Sequence, residues 1–80
     1  MTVRLAPSGE IELVGGCPID DAEPLLGLLL AYTDAPIDWR RCEHAHTAVV
    51  QVLLASGRPV LGPPDDPLLR RWVEPLLAKL

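Results

Sequence analysis

The chain has 80 residues, with eleven acidic against seven basic side chains and a net charge of −4. Arg40, Arg41, Arg58, Arg70 and Arg71 are scattered, with no run of aromatic residues among them, so the basic footprint that displaces phosphate counterions is missing and nucleic acid is not an expected partner. Hydrophobic content of 49% without phenylalanine, in 80 residues, implies one small domain with a core of Leu, Val, Ile and Ala.

The amino-terminal "MTVRLAPSGE" lacks an apolar run of signal-peptide length, and no apolar run approaches the ~20 residues of a membrane span. Two cysteines do not make a disulfide framework. The expectation is a soluble, cytoplasmic protein with free thiols and no membrane insertion.

In chain order, "TVRLA" alternates Val3 and Leu5 against Thr2 and Arg4, the period of a half-buried strand. After the turn "PSGE", "EIELVGG" alternates Ile11 and Leu13 against Glu10 and Glu12, and Gly15-Gly16 is expected to end this second strand. Together they predict a β-hairpin. From "CPIDDAEPLLGLLLAYTDAP" a helix is expected, capped by Asp20 or Asp21, with Pro24 tolerated in the first turn. Leu25 to Tyr32 are apolar on most sides, which predicts burial on a broad face, and Asp34-Ala35-Pro36 stops the helix.

"PIDWRRC" is a short strand candidate built on Ile37 and Trp39. Cys42-Glu43-His44-Ala45-His46 is expected to be a loop, and "HTAVVQVLLASG" a helix starting at Thr47 and ending at Gly57. "RPVLG" predicts a last short strand. "DDPLLRRWVEPLLAKL" predicts a helix with Asp66 as N-cap, Pro67 first, and a face of Leu68, Leu69, Trp72, Val73, Leu76 and Leu77; Pro75 should kink or divide it. Part of that face, around Trp72 and Leu76, is a candidate surface for a partner or for weak homodimerisation.

The predicted order is β-β-α-β-α-β-α: an α/β fold with a mostly parallel sheet, an antiparallel first strand, and helices packed on the sheet. Loops leaving the carboxyl ends of parallel strands gather at one pole. Cys17, the Cys42–His46 stretch and Asp65-Asp66 are expected there.

That pole holds every candidate for chemistry. Thr47 reads as an N-cap hydroxyl, worth about 1 kcal/mol. His44 and His46 could share a metal with Cys17, Cys42 or Glu43, giving a metal or thiol sensor, but no second Cys/His pair has zinc-like spacing. A catalytic histidine would need a nucleophile and an orienting acid, and nothing places Cys17 beside either imidazole. No enzyme activity, metal or cofactor is therefore assigned, and the cysteines read as small buried fillers.

"APIDWRRCEHAHTAVVQVLLASGRPV" resembles the central segment of STAS domains, the family of bacterial anti-sigma-factor antagonists and of the cytosolic tails of sulfate transporters. Ile37-Asp38-Trp39 stands where that family has a strand with an apolar-Asp-apolar step. His46-Thr47-Ala48-Val49 stands where it has Asp-Ser-x-Gly, and Val52-Leu53-Leu54-Ala55 matches its helix end. His46 replaces the family's acid and Val49 its glycine. The resemblance implies a non-enzymatic regulatory domain whose partner is a kinase-like or anti-sigma regulator, with Thr47 at the phospho-acceptor position. It implies a docking surface of His44, His46, Thr47 and Ala48, bordered by Asp20, Asp65 and Asp66. A structural STAS-like subunit of a transport ATPase complex is the alternative it allows.

Overall fold

Val3, Arg4 and Leu5 lie opposite Leu13, Glu12 and Ile11 in an antiparallel hairpin that joins β1 (Val3–Leu5) to β2 (Ile11–Cys17). A computed structural model describes residues 2–78. Gly9 closes the hairpin at φ +103°, its N–H donating to the Ala6 carbonyl at 2.9 Å. Gly15-Gly16 do not end β2; the strand runs through them to Cys17. Gly15 takes φ +73° next to an irregularity in the pairing with the neighbouring strand, a conformation that glycine adopts without steric cost.

A 3₁₀ turn, Ile19–Asp21, leads into α1 (Ala22–Ala31). Neither Asp20 nor Asp21 caps it with a side-chain hydrogen bond. Asp21 is instead buried and accepts from the Thr2 hydroxyl, which ties the entry of β1 to the entry of α1. Next come β3 (Ile37–Ala45), α2 (Thr47–Ser56) and β4 (Val60–Leu61). Gly57, in the left-handed conformation at φ +65°, ends α2 as expected. The last helical stretch begins at Pro67, passes through a π turn, Leu69–Val73, and continues as α3 (Glu74–Ala78).

The sheet order is β1-β2-β3-β4, with β1 antiparallel to β2 and the other pairs parallel. Both crossovers step the same way across the sheet, and right-handed connections then put α1 and α2 on the same face. They pack on each other there, and the third helix packs beside α2. One core joins Ile11, Leu13, Ile37 and Trp39 of the sheet to Leu25 of α1 and Leu53 of α2. The α/β class and the order of elements are thus those expected. On the other face, Arg4, Glu12 and Asp38 form a cross-strand row. Arg4 pairs with Glu12 at 2.9 Å, and Arg40 makes a forked pair with Asp38 at 2.9 and 3.1 Å. These bonds to Arg40 hold the Asp38 carboxyl below the usual carboxylate range.

β3 is longer than expected, and its buried residues explain why. Ile37, Trp39, Cys42 and Ala45 all face the core. Their spacing is not the period of two that a strand shows. Glu12 pairs with Asp38 but Val14 with Arg41, and Gly15 pairs with Cys42 but Gly16 with His44. Each step inserts one extra residue in β3, which is a β-bulge. The bulges return the next apolar side chain to the core, so the stretch expected to be a loop from Cys42 onward is strand as far as Ala45.

In the third helix, Asp66 is the cap expected: its carboxylate accepts from the N–H groups of Leu68 at 2.8 Å and Leu69 at 3.3 Å. Pro75 neither ends nor divides the helix. In an α-helix its ring would meet the Arg71 carbonyl. The wider turn just before it, in which the Glu74 N–H donates to the Leu69 carbonyl, relieves that conflict. The expected apolar face is split in two. Leu69 and Leu77 are buried and Val73 is half-buried, whereas Leu68 is 70% exposed, Trp72 64% and Leu76 51%. The broad burial expected of α1 is corrected in the same way: Leu25 and Leu29 are buried, but Leu26 and Leu30 are exposed. Among the described residues, no helix is long and apolar enough to cross a membrane.

Candidate functional site

Two backbone hydrogen bonds draw the pole of the sheet together. The His46 N–H donates to the Cys17 carbonyl, and the Asp65 N–H to the Cys42 carbonyl, each at 2.9 Å. The ends of β2 and β3, the starts of α1 and α2 and the approach to the third helix therefore converge, as the topology requires.

Because β3 runs to Ala45, a single residue separates it from α2. That residue is His46, with extended backbone angles (φ −61°, ψ 150°), and its ring Nδ1 accepts from the Ala48 N–H at 3.0 Å. The N-cap is therefore His46, not Thr47. The substitution is chemically sound: Nδ1 sits as many bonds from Cα as the side-chain oxygen of asparagine or aspartate, the usual capping residues. Accepting there requires the neutral ring with its proton on Nε2. Thr47 becomes the first residue of α2, and its side chain is exposed.

The other candidate residues separate by what already holds them. Asp66 is engaged in capping the third helix. Asp65 lies 3.9 Å from Arg70, whose guanidinium also donates to the Pro64 carbonyl at 3.3 Å. Asp20 and His44 are exposed, and Ala48 is half-buried. Among the described residues, no side-chain hydrogen bond or ion pair engages Thr47, Asp20 or His44.

The sensor constellation is not assembled. Cys17 and Cys42 are free thiols within the core, whereas His44 and His46 face outward. Among the described residues, no three His, Cys, Asp or Glu side chains come together as a metal site. Contact with the Cys17 sulfur, followed by burial, pushes the Cys42 thiol far above its ordinary value. Cys42 also donates to the His44 carbonyl at 3.4 Å. It is a neutral, protected thiol, unlike the exposed low-pKa thiols that react.

One feature escaped the sequence reading. Between α1 and α2 runs an open groove of about 590 Å³, lined by Ala22, Leu26, Leu30, Ala48, Val52 and Ala55, among others. Small side chains form much of its lining, and Leu26 and Leu30 stand exposed along it. Ala48, the residue after the exposed Thr47, is among the groove's lining. Past the end of α2, Arg58 reaches across to α1 and donates to the carbonyls of Leu29, Tyr32 and Ala35 at 2.5, 2.9 and 2.9 Å. A cation on the last carbonyls of a helix is favoured by their partial negative charge. The signal was present in "PLLGLLLA", which is apolar all round.

Compared with protein-family models, with curated proteins and with solved structures, the chain finds no match in any of the three.

Proposed function

We propose that this chain is a STAS-like regulatory domain that acts by binding a protein partner, a kinase-like or anti-sigma regulator, at the start of α2. The observation that carries this reading is the placement of Thr47. His46 supplies the cap, so the Thr47 hydroxyl is left exposed at the first position of α2, one residue before Ala48, which lines the apolar groove between α1 and α2. A partner seated there would bury Leu26 and Leu30 and lie against the hydroxyl.

Phosphorylation of Thr47 would add roughly two negative charges at that edge. The N-terminal N–H groups and the positive end of the helix dipole favour a phosphate at this position. A docked apolar partner would meet a charged group where it had met a hydroxyl. The domain itself performs no catalysis; it is switched and read.

Incubation of the purified chain with partner-type serine/threonine kinases, followed by intact-mass measurement, tests the switch. The expected result is a single added phosphate that is absent from Thr47→Ala. Phosphate that persists in Thr47→Ala removes Thr47 as the acceptor. A second reading, a permanent structural subunit of a transport ATPase complex, draws on the same exposed Leu26 and Leu30, because obligate interfaces are the more hydrophobic ones. Co-purification of a stoichiometric ATPase subunit that survives Thr47→Glu would favour it.

A further inference from the structure

Among the described residues that line the α1–α2 groove, Arg58 alone is charged. A guanidinium carries five N–H donors in a fixed fork. In Arg58, Nη1 donates to the Tyr32 and Ala35 carbonyls and Nη2 to the Leu29 carbonyl. The Nε–H and one N–H of Nη2 remain, and among the described residues no carboxylate pairs with Arg58. The three carbonyls therefore hold the cation in place without neutralising it. The rest of the lining is apolar apart from Gln51 and Ser56, and the Ser56 hydroxyl donates back to the Leu53 carbonyl of its own helix.

The groove also has a direction and a length. α1 and α2 both start at the pole of the sheet, so Ala22 and Ala48 mark one end and Leu30, Ala55 and Arg58 the other. The lining stretches, Ala22 to Leu30 and Ala48 to Ser56, are each about 12 Å long. The trough encloses about 590 Å³, the size of a small-molecule site, and it carries a fixed cation at one end only. A ligand that matches it has one anionic head and an unbranched apolar tail. At roughly 1.25 Å per carbon along a zigzag chain, about ten carbons span the trough. We propose that the groove binds a medium-chain fatty acid. Its carboxylate accepts from the N–H groups of Arg58 that the carbonyls leave, and its tail lies between Leu26 and Leu30 of α1 and Val52 and Ala55 of α2. The chain has a net charge of −4, so an anion is held here by Arg58 and not by the overall field. An occupied trough covers Leu26 and Leu30, which the proposed partner would also bury, so ligand and partner would exclude each other. That consequence rests on the docking reading; the binding itself does not, and its failure leaves the Thr47 reading untouched.

Titration of the intact chain with decanoate, below its micelle concentration, is the test, followed by calorimetry and by NMR of the leucine and valine methyl groups. The expected result is saturable 1:1 binding that shifts the methyl signals of Leu26, Leu30 and Val52. Decyltrimethylammonium has the same tail and the opposite charge. It should bind at least about 10-fold more weakly, as for the loss of a charge-assisted hydrogen bond. Acetate, the head without the tail, should not bind. Ala55→Trp fills the trough from an exposed position and should abolish binding while the denaturation midpoint stays near that of the wild type. Arg58→Gln should erase the preference for the anion; if that variant does not fold, the two headgroups compared on the wild type decide the same point. Trp72→Ala, on the outer side of the third helix, should bind as the wild type does. Absence of saturable binding overturns the proposal. So does equal affinity for the two headgroups, binding that survives Ala55→Trp, or binding lost in Trp72→Ala, which would put the tail on the third helix instead.

Discussion

β3 and the third helix solve the same packing problem and finish it differently. Each departs from its ideal period so that successive apolar side chains return to the core. In β3 two bulges bring Ile37, Trp39, Cys42 and Ala45 to one face. In the helix a π turn precedes Pro75 while Leu69, Val73 and Leu77 stay on the inner side. The residues turned outward then diverge. From β3 they are Arg40, Arg41, Glu43 and His44; from the helix they are Leu68, Trp72 and Leu76. The strand's outer side is finished for water, whereas the helix's outer side is not. Irregular backbone is thus no mark of function by itself; what the irregularity turns outward is.

The sharpest way to break the comparison is at Trp39, the largest fully buried side chain. Its indole N–H donates to the Glu74 carboxylate at 3.0 Å, so it joins the bulged strand to the helix. Trp39→Ala should cost about 3–5 kcal/mol in chemical denaturation, as cavities left by large aromatic residues do. In a small domain that consumes most of the stability available. A loss below about 1 kcal/mol would mean that the bulges do not deliver Trp39 into a packed core.

Leu68 and Leu69 give a closer contrast, because they are the same residue type at adjacent positions. Leu69 is 7% exposed and Leu68 is 70%. Leu69→Ala should destabilise by about 2–5 kcal/mol, and Leu68→Ala by no more than about 0.5 kcal/mol when measured on dilute monomer. Equal losses would place both rows in the core and remove the uncovered ridge.

How far the sequence reveals these features depends on period. The hairpin, the helix from Thr47 to Gly57 and the Asp66 cap were legible because each follows a simple rule of alternation or capping. β3 was not, because apolar residues spaced by two, three and three match neither a strand nor a helix, and a bulge leaves no residue signature of its own. The candidate site was half legible. The convergence at the pole follows from parallel topology alone. The identity of the cap turned on whether β3 stopped at Cys42 or at Ala45, and an imidazole is not among the usual capping groups. The groove was hidden for another reason. Uniformly apolar helices such as α1 read as buried on every side, and the pattern alone does not tell Leu26 and Leu30, which stand exposed, from Leu25 and Leu29, which are buried.

The smallest effect concerns Cys42, which the spacing of three places inside β3's buried row. Its folded-state pKa is raised, first by contact with the Cys17 sulfur and then by burial, above the ordinary thiol value of 9.0. In the unfolded chain the thiol loses its proton as pH passes about 9, while in the folded protein it keeps it. The same contact lowers Cys17 and so offsets its effect on Cys42, but burial raises both thiols, so above that pH the pair holds more protons in the folded state and stability falls as pH rises. Below it the contribution is fully present. Denaturation midpoints measured from pH 7 to 10.5 should therefore decline on the alkaline side for the wild type, and the double variant Cys17→Ala/Cys42→Ala, which removes both coupled thiols, should flatten part of that decline even though it starts lower. The slope, not the offset, is the readout, so the cavity left by the substitution does not confuse it. Parallel declines in the two proteins would mean that the Cys17–Cys42 pair meets water in the folded state. The second bulge would then not seal the strand as its register indicates.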